Sequence, residues 1–114
     1  MAYSEHLVDR VRIRLINKGL VEEKKMMGGL IFMLNHKMCV GVDMDKTSKE
    51  DRLMVRVGTN SYDLLLSKKG SRGMDFTGKV MRGFLFIDAN SIDSEDDLDF
   101  WIEQALSFNR EQTT

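Results

Sequence analysis

The chain has 114 residues, of which 42% are hydrophobic and 31% charged, with one cysteine and a net charge of -1. This length predicts a single domain over residues 1–114 with one modest core. A lone cysteine, Cys39, excludes an internal disulfide, and no apolar stretch approaches the roughly 20 residues that a membrane helix needs. The start of the chain has no apolar segment typical of a secretory signal, so we expect a cytoplasmic protein without a membrane association.

The charges are unevenly distributed along the chain. Residues 1–82 carry 16 basic and 10 acidic residues, a net charge of +6, whereas residues 83–114 carry 1 basic and 8 acidic residues, a net charge of -7. Five of these late acids open the last predicted helix, where the helix dipole favours negative charge. We therefore interpret them as helix capping and a source of solubility, rather than as a binding site.

The first periodic segment runs over residues 4–18. Its apolar positions recur at helical spacing while its arginines fall mainly elsewhere, which predicts an amphipathic helix with a basic outer face. Ser4 is the predicted N-cap, and Gly19 is predicted to stop the helix.

The middle of the chain has strand patterns. Two apolar runs at 30–34 and 38–42 flank a short polar turn, which predicts a β-hairpin. A weaker strand at 23–26 precedes them. A charged loop at 43–51 leads to another strand at 52–57.

The second half alternates between helix and strand. Thr59 is predicted to cap a short helix at 61–67, followed by a basic, glycine-containing loop at 68–73. A brief strand at 74–76 and a final strand at 84–87 follow. The last helix begins after Ser94, which with an acid three residues later resembles a capping box.

This order of elements predicts an α+β fold in two layers, with one antiparallel sheet packed against helices. The strands read as nearly continuous apolar runs, which are typical of strands covered on both faces. Three helices, one of them short, can hardly cover both faces. We therefore hypothesise that the second face, or an exposed sheet edge, is buried against another subunit or a partner protein.

No catalytic, metal or cofactor constellation is evident in the sequence. His6 and His36 lie far apart, and the predicted hairpin separates His36 from Cys39. Gly28 and Gly29 match neither dinucleotide-binding nor phosphate-loop spacing, so we expect them to permit a bulge or a close backbone approach. We expect a protein that is not an enzyme and holds no cofactor.

One set of basic residues is the candidate site for an acidic partner or another anion: Lys24, Lys25, Lys68, Lys69, Arg72, Lys79 and Arg82. If the fold brings them together, they form a basic patch, and direct nucleic-acid binding is then the alternative function. Acids are interspersed among them, and the chain has no helix-turn-helix or RNA-binding signature. Scattered solvated side chains are the simpler interpretation. A small-molecule-binding domain is a further alternative to which no sequence feature points.

Several segments together resemble the TfoX N-terminal domain family. They are KKMMGGL at 24–30, NHKMC at 35–39, RVG at 56–58, MDFTGK at 74–79 and MRG at 81–83. These blocks extend over nearly the whole chain in the order that the family has. His36 stands at a turn position where the family often has glycine, and there it would need a left-handed conformation.

The resemblance implies a fold like that of secretion chaperones and a regulatory role without catalysis. TfoX/Sxy proteins of bacteria promote transcription of competence genes and carry a second, helical domain, before which this chain ends. We therefore expect a stand-alone module that binds a protein partner, with a homodimer as one option. The glycines of the family blocks are expected to be structural: Gly28, Gly29, Gly78 and Gly83.

Overall fold

The structure is a computed structural model that describes residues 3–76 and 78–112, without the side chain of Phe76. In this part of the chain the helices are α1 (Glu5–Leu15), α2 (Thr59–Leu66) and α3 (Glu95–Gln112). The strands are β1 (Val21–Met26), β2 (Gly29–Leu34), β3 (Lys37–Met44), β4 (Asp51–Arg56), β5 (Ser71–Phe76) and β6 (Lys79–Asp88). The predicted α+β fold is confirmed.

The strands form one six-stranded sheet in the order β1-β2-β3-β4-β6-β5, and all neighbouring pairs are antiparallel. The first two connections are two-residue turns, Met27-Gly28 and Asn35-His36. All four residues have positive φ, between 53° and 79°, which is the signature of a type I′ hairpin turn. The predicted left-handed conformation of His36 is confirmed at φ 68°. Strands β1 and β5 form the two edges of the sheet.

One face of the sheet carries the main core. Residues of all three helices join the inward side chains of β2, β3, β4 and β6 in one buried cluster, which includes Val8, Phe32, Leu53, Leu85, Leu98 and Trp101. Each large apolar side chain buried in this way contributes about 1.5–3 kcal/mol to folding. The helices thus form one layer and the sheet the other, as predicted.

Two predicted N-caps are confirmed. The Ser4 hydroxyl accepts a hydrogen bond from the Leu7 amide at 3.3 Å, and the Ser94 hydroxyl accepts one from the Asp97 amide at 3.0 Å. Each bond satisfies one of the amides that a helix start leaves without an intrahelical partner.

Two other helix boundaries differ from the prediction. Thr59 does not cap α2: it is the first helical residue, and Gly58 at φ 80° is the N-cap without a side-chain hydrogen bond. Helix α1 ends at Leu15, well before Gly19, because the chain turns earlier, with Asn17 at φ 67°. Asparagine tolerates this left-handed conformation better than most residues.

Two of the three arginines of α1 do not lie on the solvent-facing surface that the helical pattern predicts. Arg10 and Arg14 lie against α3, where Arg14 donates to Glu95 and Asp99, both at 2.6 Å, and Arg10 donates to Glu95 at 2.9 Å. The hydrogen bond from Arg14 lowers the pKa of Glu95. The acids at the start of α3 therefore bind α1 as well as complementing the helix dipole.

Strand β6 is ten residues long, whereas only residues 84–87 were predicted. Its first half (KVMRG) mixes charged with apolar residues and is mostly exposed, and it pairs with strand β5, which is also longer than predicted. Midway, the amides of Val57 and Gly58 both donate to the carbonyl of Gly83, which has φ 96°. This arrangement bends the chain from β4 into α2.

A buried amide connects α3 to the sheet. Asn109 is 2% exposed, and its Nδ2 donates to the Leu34 carbonyl at 3.0 Å. Next to it, Asn35 accepts a hydrogen bond from the Leu20 amide at 3.1 Å. The end of α3, the turn between β2 and β3 and the chain after α1 are thus held together.

Candidate functional site: the open face of the sheet

The sheet has a second face, which we call the open face. It carries a separate apolar cluster of Met27, Ile31, Met33, Met38, Met54, Met74, Met81, Phe84 and Phe86. Among the described residues, no helical side chain belongs to this cluster, in contrast to the main core. The apolar strand sequences therefore reflect two apolar faces, of which the helices cover one.

Methionines make up most of the open face, with six of the nine in the chain. Ile31, Met54 and Met74 are only 3–4% exposed, because neighbouring side chains lie over them. Met33 and Met38, which are direct cross-strand partners, remain only partly buried. Flexible, polarisable methionine side chains are typical of surfaces that adapt to a bound partner.

A hollow of about 540 Å³ lies on the open face above Gly41. A Cβ at this position would come within 2.7 Å of Ile31 Cδ1 and 3.1 Å of Met54 Cε, so these side chains lean into the space that glycine leaves. Met74 and Phe86 line the hollow further along the sheet. Its floor is therefore apolar.

Ion pairs form the rim at one end of the hollow. Arg52 donates two hydrogen bonds to Asp43, at 2.9 and 2.8 Å, and lies 3.7 Å from Asp45. Arg72 donates to Asp45 at 2.8 Å and to Asp88 at 3.0 Å. This network connects the strands β3 to β6 and pairs both arginines with carboxylates at this end of the face.

Asp45 is the most strongly held acid of this rim. Besides Arg72, the amides of Ser48 and Thr47 donate to its carboxylate, at 3.1 and 2.8 Å. Together these hydrogen bonds hold the pKa of Asp45 well below its usual range. The predicted charged loop is thus an ordered turn.

Arg56 lies at the opposite end of the open face, at the end of β4. Its guanidinium is 5.2 Å from the ring centroid of Phe84 and 5.6 Å from that of Phe108. Every other arginine of the chain forms an ion pair within the described residues. Arg56 has no carboxylate partner there.

The seven basic residues singled out from the sequence do not lie together. Lys24 and Lys25 are on edge strand β1, whereas the other five are on or next to β5 and β6 at the far side of the sheet. Four intervening strand spacings of nearly 5 Å each separate β1 from β6. Arg72 is engaged in the rim network, and Arg82 pairs with Asp63 at 3.2 Å.

The glycines of the family blocks have backbone roles. A Cβ on Gly29 would collide with the Val42 carbonyl oxygen, so this position requires the predicted close approach. Gly28 and Gly78 have φ 79° and 81° in hairpin turns. Thr77, between the two halves of the MDFTGK block, lies outside the described residues.

Cys39 is buried on the helix-covered face, and burial raises the pKa of its thiol to about 12. Among the residues that the structure describes, no group of three or more His, Cys, Asp or Glu side chains is placed to hold a metal ion. In the same part of the chain, no helix has the length and apolar character needed to cross a membrane.

Sequence reasoning missed Gly41 and the arginines Arg52 and Arg56 as features of the site. In the sequence, Gly41 is one small residue in an apolar run, and no local sequence pattern indicates that it lies at the floor of a hollow. Arg52 and Arg56 each lie two residues from Met54 on the same strand. Because successive side chains of a strand point to opposite faces, all three lie on one face.

The class of domain is therefore a two-layer α+β domain. Its single antiparallel sheet has helices on one side and an apolar open face on the other. The family model for the TfoX N-terminal domain matches residues 14–109, and the chain belongs to this family. The resemblance noted in the sequence is thereby confirmed. A search of curated proteins and one of solved structures returned no match.

Proposed function

We propose that this domain is a cytoplasmic, non-enzymatic regulatory module that binds a protein partner through its open face. One observation carries the proposal: an apolar, methionine-rich sheet face lies opposite the helical layer. Apolar surface of this kind is a favourable contact area, since its burial contributes about 25 cal/mol per Å². Membership of the TfoX N-terminal domain family supports a regulatory role related to that of the competence regulators.

The placement of the basic residues favours a protein partner over nucleic acid. Binding to a nucleic-acid backbone depends on several cations that neutralise neighbouring phosphates. Here the candidate cations lie in two groups at opposite sides of the sheet, and two of the arginines are already paired with carboxylates. The open face supplies apolar contact area instead.

Two lysine substitutions test the proposal. Met33 is on the open face opposite Glu22, so Met33→Lys places a cation beside an existing acid and should fold. The matched control is Ile13→Lys on α1, where the side chain is 68% exposed and Asp9 lies one helical turn earlier. Tagged wild-type and variant domains are expressed in the native cell, and the proteins that co-purify are identified and quantified.

The expected result is a partner that co-purifies with the wild type and with Ile13→Lys, but not with Met33→Lys. Equal recovery with all three would mean that the open face is not the contact surface. Recovery of a second copy of the chain with the same pattern would identify the partner as a homodimer subunit.

The hollow above Gly41 supports a second candidate function, binding of a small apolar molecule. Its volume of about 540 Å³ is within the range typical of ligand sites. Gly41→Leu should fill it by displacing the flexible ends of Ile31 and Met54. A fragment screen by ligand-observed NMR would then yield compounds that bind the wild type and not the variant, and the absence of such compounds would exclude this candidate.

A further inference from the structure

The side chain of Arg56 is a cation that lies beside two aromatic rings and has no anionic partner among the described residues. Its stem is partly buried at the end of β4, and the rings of Phe84 and Phe108 lie within 6 Å of its guanidinium. Such cation–π contacts attract the group to the two rings but accept no hydrogen bond in the plane of the guanidinium. They leave its N–H donors, which point along the plane, free for an acceptor.

No acceptor for these donors lies within the described residues. The Arg56 side chain takes part in none of the hydrogen bonds or ion pairs there, and its nitrogen atoms are not buried away from water. Arg52, four residues earlier on the same strand face, has an internal counter-ion: it donates two hydrogen bonds to the Asp43 carboxylate. The contrast indicates that the anion for Arg56 comes from outside.

The surroundings of Arg56 define the rest of the ligand. Phe84 is a direct cross-strand partner of Arg56, and it belongs to the same apolar cluster as Met33 and Met38. The guanidinium of Arg56 can bind one carboxylate. The aromatic and methionine side chains beside it can contact apolar side chains on either side of that carboxylate. A polyphosphate backbone would need further cations next to it.

We infer that Arg56 is the anchor through which the open face recognises its partner, and that the partner contributes a peptide segment with an aspartate or glutamate between apolar residues. The inference rests on the proposed function and specifies its partner chemistry. Arginines in such partly desolvated settings are frequent hot spots of interfaces. When the partner's carboxylate binds, the Arg56 guanidinium also gains a bidentate, hydrogen-bonded counter-ion.

A phage-displayed library of random dodecapeptides, panned against the immobilised domain, tests this inference. Enriched peptides are synthesised with a fluorophore, and their affinities are measured by anisotropy for the wild type, Arg56→Met, Met33→Lys and Arg82→Met. Arg82 is the matched control, because it also lies over an aromatic ring, that of Tyr62 at 5.0 Å, but is paired with Asp63. Circular dichroism establishes that each variant is folded.

The expected peptides contain an acid among apolar residues. Arg56→Met should weaken their binding by about tenfold or more, while Arg82→Met changes it less than about twofold. Replacing the peptide's carboxylate by an amide should weaken binding to the wild type by a similar factor and have no further effect on Arg56→Met.

Each other outcome overturns the inference in a different way. Peptides that lose affinity for Met33→Lys but bind Arg56→Met normally would refute the role of Arg56 and leave the proposed function intact. Peptides that bind all variants equally would refute both. A DNA duplex that binds the wild type but not Arg56→Met would show that the anion is a phosphate.

Discussion

The guanidinium of Arg52 lies 3.6 Å above the centroid of the Phe86 ring, and the same group donates two hydrogen bonds to Asp43. One side chain therefore covers an aromatic ring of the open face and neutralises a carboxylate at its rim. The open face consequently has two unlike ends. The end at Arg52 is closed by internal ion pairs, whereas the end at Arg56 presents an unneutralised cation beside Phe84.

Loss of the Arg52 side chain should destabilise the fold. Arg52 and Asp43 are only 15% and 16% exposed, so Arg52→Met leaves a largely buried carboxylate without its partner. We expect the free energy of unfolding to fall by about 2 kcal/mol, measured by urea denaturation. The exposed pair of Arg82 and Asp63 is the control, and Arg82→Met should cost less than about 1 kcal/mol. Equal losses in both variants would contradict the assigned role.

Two glycine-to-alanine substitutions should destabilise the fold to very different extents. The Cβ of Gly29→Ala meets the Val42 carbonyl oxygen, which belongs to the backbone of the next strand and cannot move aside. The Cβ of Gly41→Ala comes closest to the flexible ends of Ile31 and Met54, and its contact with Met54 Cβ at 3.4 Å is an ordinary one. We expect Gly29→Ala to cost about 3 kcal/mol or more and Gly41→Ala less than about 1.5 kcal/mol, by thermal or urea unfolding. A tolerated Gly29→Ala would show that β2 and β3 approach less closely.

Acidification should weaken the rim at Asp45. Because the pKa of Asp45 is lower in the folded chain than its usual 3.8, the unfolded state binds the proton more readily, and this contribution to stability rises with pH. The wild type should therefore be more stable than Asp45→Asn at neutral pH. This difference should shrink as the pH falls below about 4. A difference that stays constant between pH 7 and about pH 2, in urea denaturation at several pH values, would contradict the strong pairing with Arg72.

The thiol of Cys39 should be inert in the folded protein. Burial raises its pKa to about 12, and the thiolate is the reactive form. With a thiol reagent at about pH 8, labelling of the native chain should be slow and limited by opening of the fold, whereas labelling in denaturant should be complete within minutes. Rapid labelling of the native protein would mean that β3 does not lie in the core as described.

The sequence predicted the elements whose cause is local. Ser4 and Ser94 cap their helices because a hydroxyl at that position satisfies an adjacent amide, and the turn at His36 follows from hairpin geometry. The end of α1 was missed because Asn17 competes with Gly19 as a left-handed residue. The full length of β6 was missed because its first half has no continuous apolar run, and only pairing with β5 makes it a strand.

The candidate site was less predictable because it depends on which strands become neighbours. The apolar runs correctly indicated two apolar faces, since this property is written along each strand. The basic residues could not be grouped without the strand order, which places Lys24 and Arg72 at opposite sides of the sheet. Whether a carboxylate lies next to Arg56 depends on residues that are distant in sequence. No local pattern therefore reveals that Arg56 has no carboxylate partner among the described residues.

Methionine methyl NMR is the sharpest test of partner binding at the open face. The domain is labelled with ¹³C at its methionine methyl groups, assigned by single substitutions, and mixed with the partner recovered in the co-purification experiment. On binding, the resonances of Met33, Met38 and Met81 should shift or broaden. Unchanged methionine resonances, with backbone amide shifts confined to α1 and α3, would place the contact on the helical layer and contradict binding at the open face.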